Sequence, residues 1–588
     1  MCKLFVQKLP KQSQQIWKLL LPKFFWAKEY IMKLSQIKYV RPDKDKLLQD
    51  LANFKQRFES AKTVEEFYLV HDEFKAYMEK ASTPMHLAFI RFSQDTRDEF
   101  YAAEQDYLDE VMPQIGVAQA EISNCYLTSP FRAELEKRFP KVMFTNLQLS
   151  VDANDPRLVE DRIEENKLTT AYRKLMSSIV IDFNGEKLPL SGLGKYATSN
   201  DREVRKQAAI ALGTVLEENK AQLDEIYDKL VAVRTRMGQK LGFENFSKLG
   251  YMQMQRNCYT KEDIAKFRSN VLKYIVPLAN KIRAKVGADL GIDKMYYYDH
   301  GVFTKNEPRP VGTPDELFQK ASQMYNEMSA ETGKLFDTMV ESECFDVMSR
   351  EGKSGGGYCD GLPEFKLPFI FANWNGSAGD IDVLTHEFGH ALEFYKSFFI
   401  ESDFLSSISM ETAEVHSMSM EFLAYPWIDK FFGDQTEDYK FTHIGGAITF
   451  IPYGTIVDYF QQTCYDNPNM TPAERIAFYN QIEKQFLPCM TTEGIVALQD
   501  GRRWQRQAHI YESPFYYIDY CLAQFTALQF LALSQQDFDS AFAKYNKFLD
   551  FGGTKTFVEL IEECGLKSPF EEESFKMVVA VCEKILGL

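Results

Sequence analysis

Apolar positions recur at three- and four-residue intervals over most of the chain, a pattern that predicts a protein built mainly of α-helices. Leu47, Leu48, Leu51, Phe54 and Phe58 open this pattern, and helical patterning continues to about Leu127. Thr63 and Glu66 have the spacing of a helix-capping pair. The period changes around residues 141–192, where the run from Ser178 to Leu190 reads as a β-hairpin turning at Asn184-Gly185. Helical spacing returns from Asn200 to about Asn257, through Leu223, Ile226, Tyr227, Leu230 and Val231. Another helix opens at Thr260, and a Tyr- and Pro-rich connector spans residues 295–313. Thr313-Pro314 then caps a further helix. Gly352–Gly357 reads as a mobile loop at a cleft, and it lacks the Gly spacing of a phosphate-binding loop. The apolar run Leu367–Trp374 reads as a strand, and an exposed edge is expected for it. Ile451-Pro452-Tyr453 is expected to open a helix, Thr471 and Glu474 form a capping pair, and a helix after Ser568-Pro569 closes the chain. Neither an internal repeat nor a low-complexity tract interrupts this order.

A chain of 588 residues with 45% hydrophobic and 26% charged residues has the composition of an ordinary globular protein. Its formal net charge of −16 argues against a phosphate-tracking surface, so no nucleic-acid partner is expected. The 10 cysteines are scattered without paired spacing, which points to reduced thiols and a cytoplasmic location. Residues 1–31 interleave lysines with short apolar stretches such as Phe24-Phe25-Trp26. None of these stretches suits a signal peptide or a membrane span, so no stable membrane insertion is expected. Met32 resembles an ordinary start, and residues 1–31 are expected to be a dispensable extension. The expected organisation is that extension, an N-terminal helical lobe with a small hairpin over 32–200, and a catalytic helical region over 201–588.

The chemistry concentrates in Thr385-His386-Glu387-Phe388-Gly389-His390. Helical positions four apart share a face, so His386 and His390 can hold one zinc ion through imidazole nitrogens. Glu387 has the position of a metallopeptidase general base. With 8 histidines and 84 acids in the chain, this spacing has a chance expectation of roughly 0.016. Asp382 lies one turn before His386 and could accept the second ring N–H of a ligand histidine. A third protein ligand is still required. Glu411, Glu414, Met418 and Glu421 share a helical face downstream, and spacing alone leaves Glu411 and Glu414 equally open.

His386-Glu387-Phe388-Gly389-His390 followed by Ala413-Glu414-Val415, Ser417 and Glu421 resembles the M3 family of zinc peptidases. The resemblance extends over most of the chain after about residue 200. It implies a mostly α-helical, zincin-type metallopeptidase: two helical lobes around a deep channel, with a small sheet beside the zinc helix. It also implies one Zn2+ per chain, Glu414 as third ligand and Glu421 orienting a ligand. A third matching stretch, Arg503 to Tyr520, carries over His509, Tyr517 and Tyr520 as groups that stabilise the tetrahedral intermediate, with Tyr516 the alternative tyrosine. An edge strand beside the zinc would pair with an extended peptide, which makes Phe371, Ala372 and Asn373 the candidate substrate-binding residues. The function expected is hydrolysis of internal bonds in short peptides. The alternatives are an exopeptidase of the same fold, using Arg502, Arg503 or Arg506 to read a terminus, and a non-catalytic peptide-binding protein.

Overall fold

Side-chain caps fix where the helices begin. Asp43 accepts from the Lys46 N–H ahead of α1 (Lys44–Ser60), and Thr63 accepts from the Glu66 N–H ahead of α2 (Val64–Gln94). Asp98 caps α3 (Glu99–Thr128) in the same way. Each oxygen satisfies an N–H that a first helical turn leaves without a partner. The computed structural model describes residues 32–406 and 408–588, so the expectation for residues 1–31 lies outside the described residues. In it α1, α2, α3 and α4 (Lys141–Ala153) enclose a core of their own around Leu51, Phe58, Phe74, Tyr126 and Met143.

After α5 (Val159–Ser178) comes the expected hairpin, β1 (Val180–Phe183) and β2 (Glu186–Pro189), with Phe183 opposite Glu186. Asn184 and Gly185 both take positive φ, +52° and +81°, which a two-residue hairpin turn with the strands' twist requires. Ile181 and Phe183 pack on Ala208 and Val215 of α6 (Arg202–Lys240). A π-helical turn joins α7 (Lys261–Asn270) to α8 (Val276–Leu290). The connector leads to α9 (Pro314–Met328), which has a reciprocal Thr313–Glu316 cap, and α10 (Ala330–Glu341).

Three strands follow: β3 (Phe345–Met348), β4 (Tyr358–Leu362) and β5 (Leu367–Trp374). Their order is β3-β5-β4, with β5 parallel to β3 and antiparallel to β4. The Leu367–Trp374 strand is therefore central, which corrects the expectation of an exposed edge. The physical reason is legible in hindsight: a strand covered on both faces reads as an unbroken apolar run, whereas a half-exposed edge strand alternates. Phe371 and Ala372 are buried, and the Asn373 amide is taken up by the carbonyls of Ser354 and Gly356. The edge strands are β3 and β4. The glycine-rich loop ahead of β4 is tethered, because the fully buried Lys353 ammonium donates to Asp346 and to the carbonyls of Met348 and Ala372.

The helix carrying the His-Glu motif, α11 (Gly379–Ser397), lies against β4 and β5. Next come α12 (Met410–Leu423), α13 (Thr436–Asp466), α14 (Pro472–Phe486), α15 (Tyr517–Ser534), α16 (Phe538–Phe551) and α17 (Glu572–Leu586). Pro452 lies inside α13 and does not open a helix. That helix is buried along most of its length, and packing outweighs the lost hydrogen bond. Between α11 and α15 sits α12, covered on nearly every side. The molecule is mostly helical with small sheets, as the apolar periodicity predicts. No described helix is long and apolar enough to cross a membrane, and the nine cysteines among the described residues are free.

Candidate active site

Close approach of two helices builds the site. A Cβ on Gly389 would lie 2.6 Å from the His416 carbonyl oxygen and 2.7 Å from Ser417 Cα. Only glycine lets α11 come this near α12. The approach brings the two motif histidines to the acid of the neighbouring helix. Glu414 Oε2 is 3.5 Å from His386 Nε2 and 3.8 Å from His390 Nε2, and the ligand atoms of His386, His390 and Glu414 all lie within 4.8 Å of one another. Ser417 donates to the same Glu414 oxygen at 3.2 Å. Glu411 is turned elsewhere: it is 2% exposed, its Oε2 has no partner, and burial with repulsion from Asp519 holds its carboxyl well above the usual range.

Hydrogen bonds fix the state of His386. Its Nδ1–H donates to Glu421 Oε1 at 2.6 Å, since an ionised carboxylate only accepts. Burial opposes a charge on this ring, but Glu414 and Glu421 outweigh it and hold the imidazole well above its usual range, so a metal ion at Nε2, the nitrogen facing Glu414, would take the place of a proton. Glu421 Oε2 takes a second donor, His443 Nε2 at 2.6 Å, and His443 Nδ1 accepts from the Tyr425 hydroxyl at 2.7 Å. Burial opposes ionisation of Glu421, yet these two donors outweigh it and hold the carboxyl down at about 2. The acceptor for His386 is thus Glu421. Asp382 lies one contact further out and accepts from Tyr439 at 2.5 Å, while the Tyr439 ring stacks on His443 at 5.6 Å.

Four carboxylates, Asp382, Glu387, Glu414 and Glu421, surround three imidazoles in this buried region. Burial pushes the Glu387 carboxyl up to about 7, and its Oε2 is buried with no hydrogen-bond partner. Burial likewise drives His390 down to about 4, so it is neutral and its nitrogen available. Two imidazoles and a carboxylate converging in a negatively biased pocket are a donor set suited to a divalent transition metal. The residues therefore fit such an ion.

A cavity of about 500 Å³ opens over these groups, lined by Gly357, Tyr358 and Cys359 from β4 and its approach, by Glu393 and Phe394 from α11, and by Tyr520. Gly357 is close to the base, since a Cβ there would sit 3.5 Å from Glu387 Oε1. On the opposite wall Tyr520 donates to Tyr516 at 2.9 Å, one helical turn away. Glu414 acts on both of these hydroxyls, although burial is the main cause raising them. Tyr517 sets its ring edge-on to Tyr520 at 5.7 Å and also packs on Phe450 and Tyr453 at 5.8 and 5.9 Å, with no hydroxyl bond to the Tyr516–Tyr520 pair. His509 lies among all three rings, at 5.7, 5.0 and 6.1 Å from Tyr516, Tyr517 and Tyr520. Arg256 anchors this wall. It is fully buried and pairs with Asp519 at 2.7 Å while donating to the carbonyl of Phe515, a residue held at φ +67°.

The structure thus brings His386, Glu387, His390, Glu414 and Glu421 together, with Tyr520, Tyr516 and His509 on the facing wall. It leaves Phe371, Ala372 and Asn373 inside the sheet. Sequence reasoning missed His443, Tyr425 and Tyr439. His443 carried a faint signal, as one of only 8 histidines in the chain, but no spacing ties it to the motif.

The model of Peptidase family M3 matches residues 195–578, and that of the Peptidase M3 N-terminal domain matches residues 34–154. Oligopeptidase PepF of Bacillus subtilis is 21% identical over 531 residues, covering 83% of this chain and 75% of that protein. The oligoendopeptidase F homolog of Borreliella burgdorferi is 22% identical and covers 85% of this chain and 90% of its own. The solved structure of PZ peptidase A with an inhibitor superimposes with a TM-score of 0.87 at 41% identity, over 94% of this chain and 99% of that one.

Proposed function

This chain belongs to peptidase family M3 and is a metalloendopeptidase, and on that premise we propose a zinc-dependent cleavage of internal bonds in short, unfolded peptides. His386, His390 and Glu414 would hold the ion. The observation that carries this reading is the convergence of their three donor atoms within 4.8 Å beside a buried carboxylate that has no other partner. When bound, zinc supplies Lewis acidity, lowering the pKa of water toward about 7 and polarising a carbonyl.

Glu387 takes the proton of the attacking water at Oε2 and returns it to the leaving amine. Its raised carboxyl range suits both halves of that transfer. Glu421 and His443 hold the His386 ring in the tautomer whose Nε2 faces Glu414. Tyr520, with Tyr516 and His509, supports charge on the carbonyl oxygen as it develops. The peptide backbone pairs with the open edge of β4 at Tyr358–Leu362, and such pairing tolerates many sequences. The nine free cysteines among the described residues support a reducing compartment, the cytoplasm.

The test pairs zinc content with cleavage of a peptide blocked at both termini. One zinc per chain, chelator-sensitive internal cleavage, and a Glu387→Gln variant that keeps zinc but loses nearly all turnover are expected. Wild-type turnover in Glu387→Gln would remove the base assignment. Cleavage that survives complete metal removal would remove the zinc mechanism.

A further inference from the structure

Three arginines precede His509, and their partners differ. Arg502 pairs with Asp224 at 2.9 Å and Arg503 with Glu483 at 3.0 Å. Arg506 has no carboxylate partner among the described residues and remains exposed, donating to the Tyr297 hydroxyl. Arg503 and Arg506 both lie over the Tyr297 ring, at 5.1 and 5.9 Å, and Arg503 also covers Tyr453 at 4.3 Å.

A third guanidinium stands in the same region. Arg283 is 5% exposed and donates to Thr449 Oγ1 at 3.1 Å, while its Nε and Nη1 are buried without an acceptor. Burial alone pushes it down to about 10. His300 links the groups: burial, then the charges of Arg283 and Arg503, hold its imidazole well below the usual range. Its Nε2 and Arg503 Nε are also buried and unpartnered. Of the guanidiniums of Arg503, Arg506 and Arg283, only Arg503 has a carboxylate partner among the described residues, Glu483. Buried donors in such excess are costly unless an anion joins them. In a chain with a net charge of −16, this local surplus is set against the overall field.

The basin adjoins the catalytic wall. Tyr453 donates to Gln507 Oε1 at 2.7 Å, and the Gln507 amide meets His509 Nδ1 at 2.9 Å. The Tyr517 ring bridges Tyr453 and His509 at 5.9 and 5.0 Å. A peptide lying past His509 would extend toward these arginines, and the anions it carries are carboxylates.

We propose that Arg506, backed by Arg503 and Arg283, is a carboxylate-binding subsite that engages the free C-terminal carboxylate of the peptide substrate. The proposal rests on the peptidase reading above. A planar guanidinium matches a carboxylate through two parallel hydrogen bonds. A carboxylate held at a fixed place would measure the peptide from its C-terminus, each extended residue spanning about 3.3 Å. An acidic side chain near that end offers the same chemistry, and the test separates the two sources.

Three internally quenched peptides of one sequence are compared: free C-terminal acid, C-terminal amide, and amide with glutamate at the last position. Wild type is expected to cleave the free acid with a kcat/KM roughly tenfold above the neutral amide, the scale of one charge-assisted pair. Arg506→Gln is expected to collapse that ratio toward one, and Arg506→Lys to keep part of it. Recovery of the glutamate amide to the level of the acid would reassign the subsite from the terminus to acidic side chains. Equal cleavage of all three by wild type, or an unchanged ratio in Arg506→Gln, overturns the subsite while leaving the peptidase reading intact. Failure to cleave any of the three overturns the peptidase reading itself.

Discussion

Gly389→Ala tests the helix approach that assembles the site. In an isolated helix this change is favourable by up to about 1 kcal/mol, because alanine is the better helix former. The tertiary structure reverses the sign. The new Cβ would meet the His416 carbonyl oxygen at 2.6 Å and Ser417 Cα at 2.7 Å, both backbone atoms of a buried helix that no side-chain rotation can move aside. Ordinary contact begins near 3.4 Å, so α11 and α12 must separate by about 0.7–0.8 Å. Overpacking of this kind costs about 1–3 kcal/mol, which offsets and exceeds the helix-propensity gain. The same displacement moves Glu414 away from His386 and His390 by several times the roughly 0.2 Å tolerance of a metal–ligand distance. Metal affinity should fall at least about tenfold. Two measurements separate the effects: thermal melting of metal-free protein reads the packing cost, and competition with a graded chelator reads the metal. A Gly389→Ala protein that melts higher than wild type and binds metal equally well would refute the reasoning.

Glu414→Ala should lose metal while Glu411→Ala retains it, and elemental analysis showing the reverse would move the third ligand to Glu411. His443→Ala removes one of the two donors to Glu421 and should weaken metal binding by about 10- to 100-fold without touching a ligand; unchanged affinity in a chelator titration would deny it that role. Tyr520→Phe or Tyr516→Phe should lower kcat by about 10²- to 10³-fold with little change in KM, whereas Tyr517→Phe should be mild; a large kcat loss confined to Tyr517→Phe would reverse the assignment of the wall. Glu411 gives a pH signature. Its folded-state carboxyl titrates well above the unfolded value, so the folded chain holds a proton that the unfolded chain releases, and stability is lost as pH rises from about 4.5 toward the folded value. Glu411→Gln should therefore raise the melting temperature, relative to wild type, more at pH 8 than at pH 5; an equal difference at both would show that Glu411 does not titrate there.

Local relations were legible in the chain, because the geometry that converts spacing into position is the helix itself. The four-residue interval put His386 and His390 on one face, with Glu387 beside them, before any neighbour was known. The Asn184-Gly185 turn and the Thr313 and Thr471 caps were equally local, since each depends on backbone angles and side chains within a few residues. Apolar periodicity likewise announced a mostly helical protein. What the tertiary structure decided depended on groups far apart in the chain. Glu411 and Glu414 have the same residue type on the same helical face, and only the approach at Gly389 distinguishes them, bringing Glu414 to the histidines and turning Glu411 toward Asp519. Glu421 displaced Asp382 as the partner of His386 because the facing helix lies nearer than the preceding turn, and His443 entered from a third helix. The run Leu367–Trp374 carried its burial but not its place, since the open edge depends on which strands pair with it. The tyrosines were distinguished by which hydroxyls meet, Tyr520 with Tyr516, at a helix start that the Arg256–Asp519 ion pair and the Arg256–Phe515 hydrogen bond hold in position. Sequence spacing determines what one element presents, and packing between elements determines what it meets.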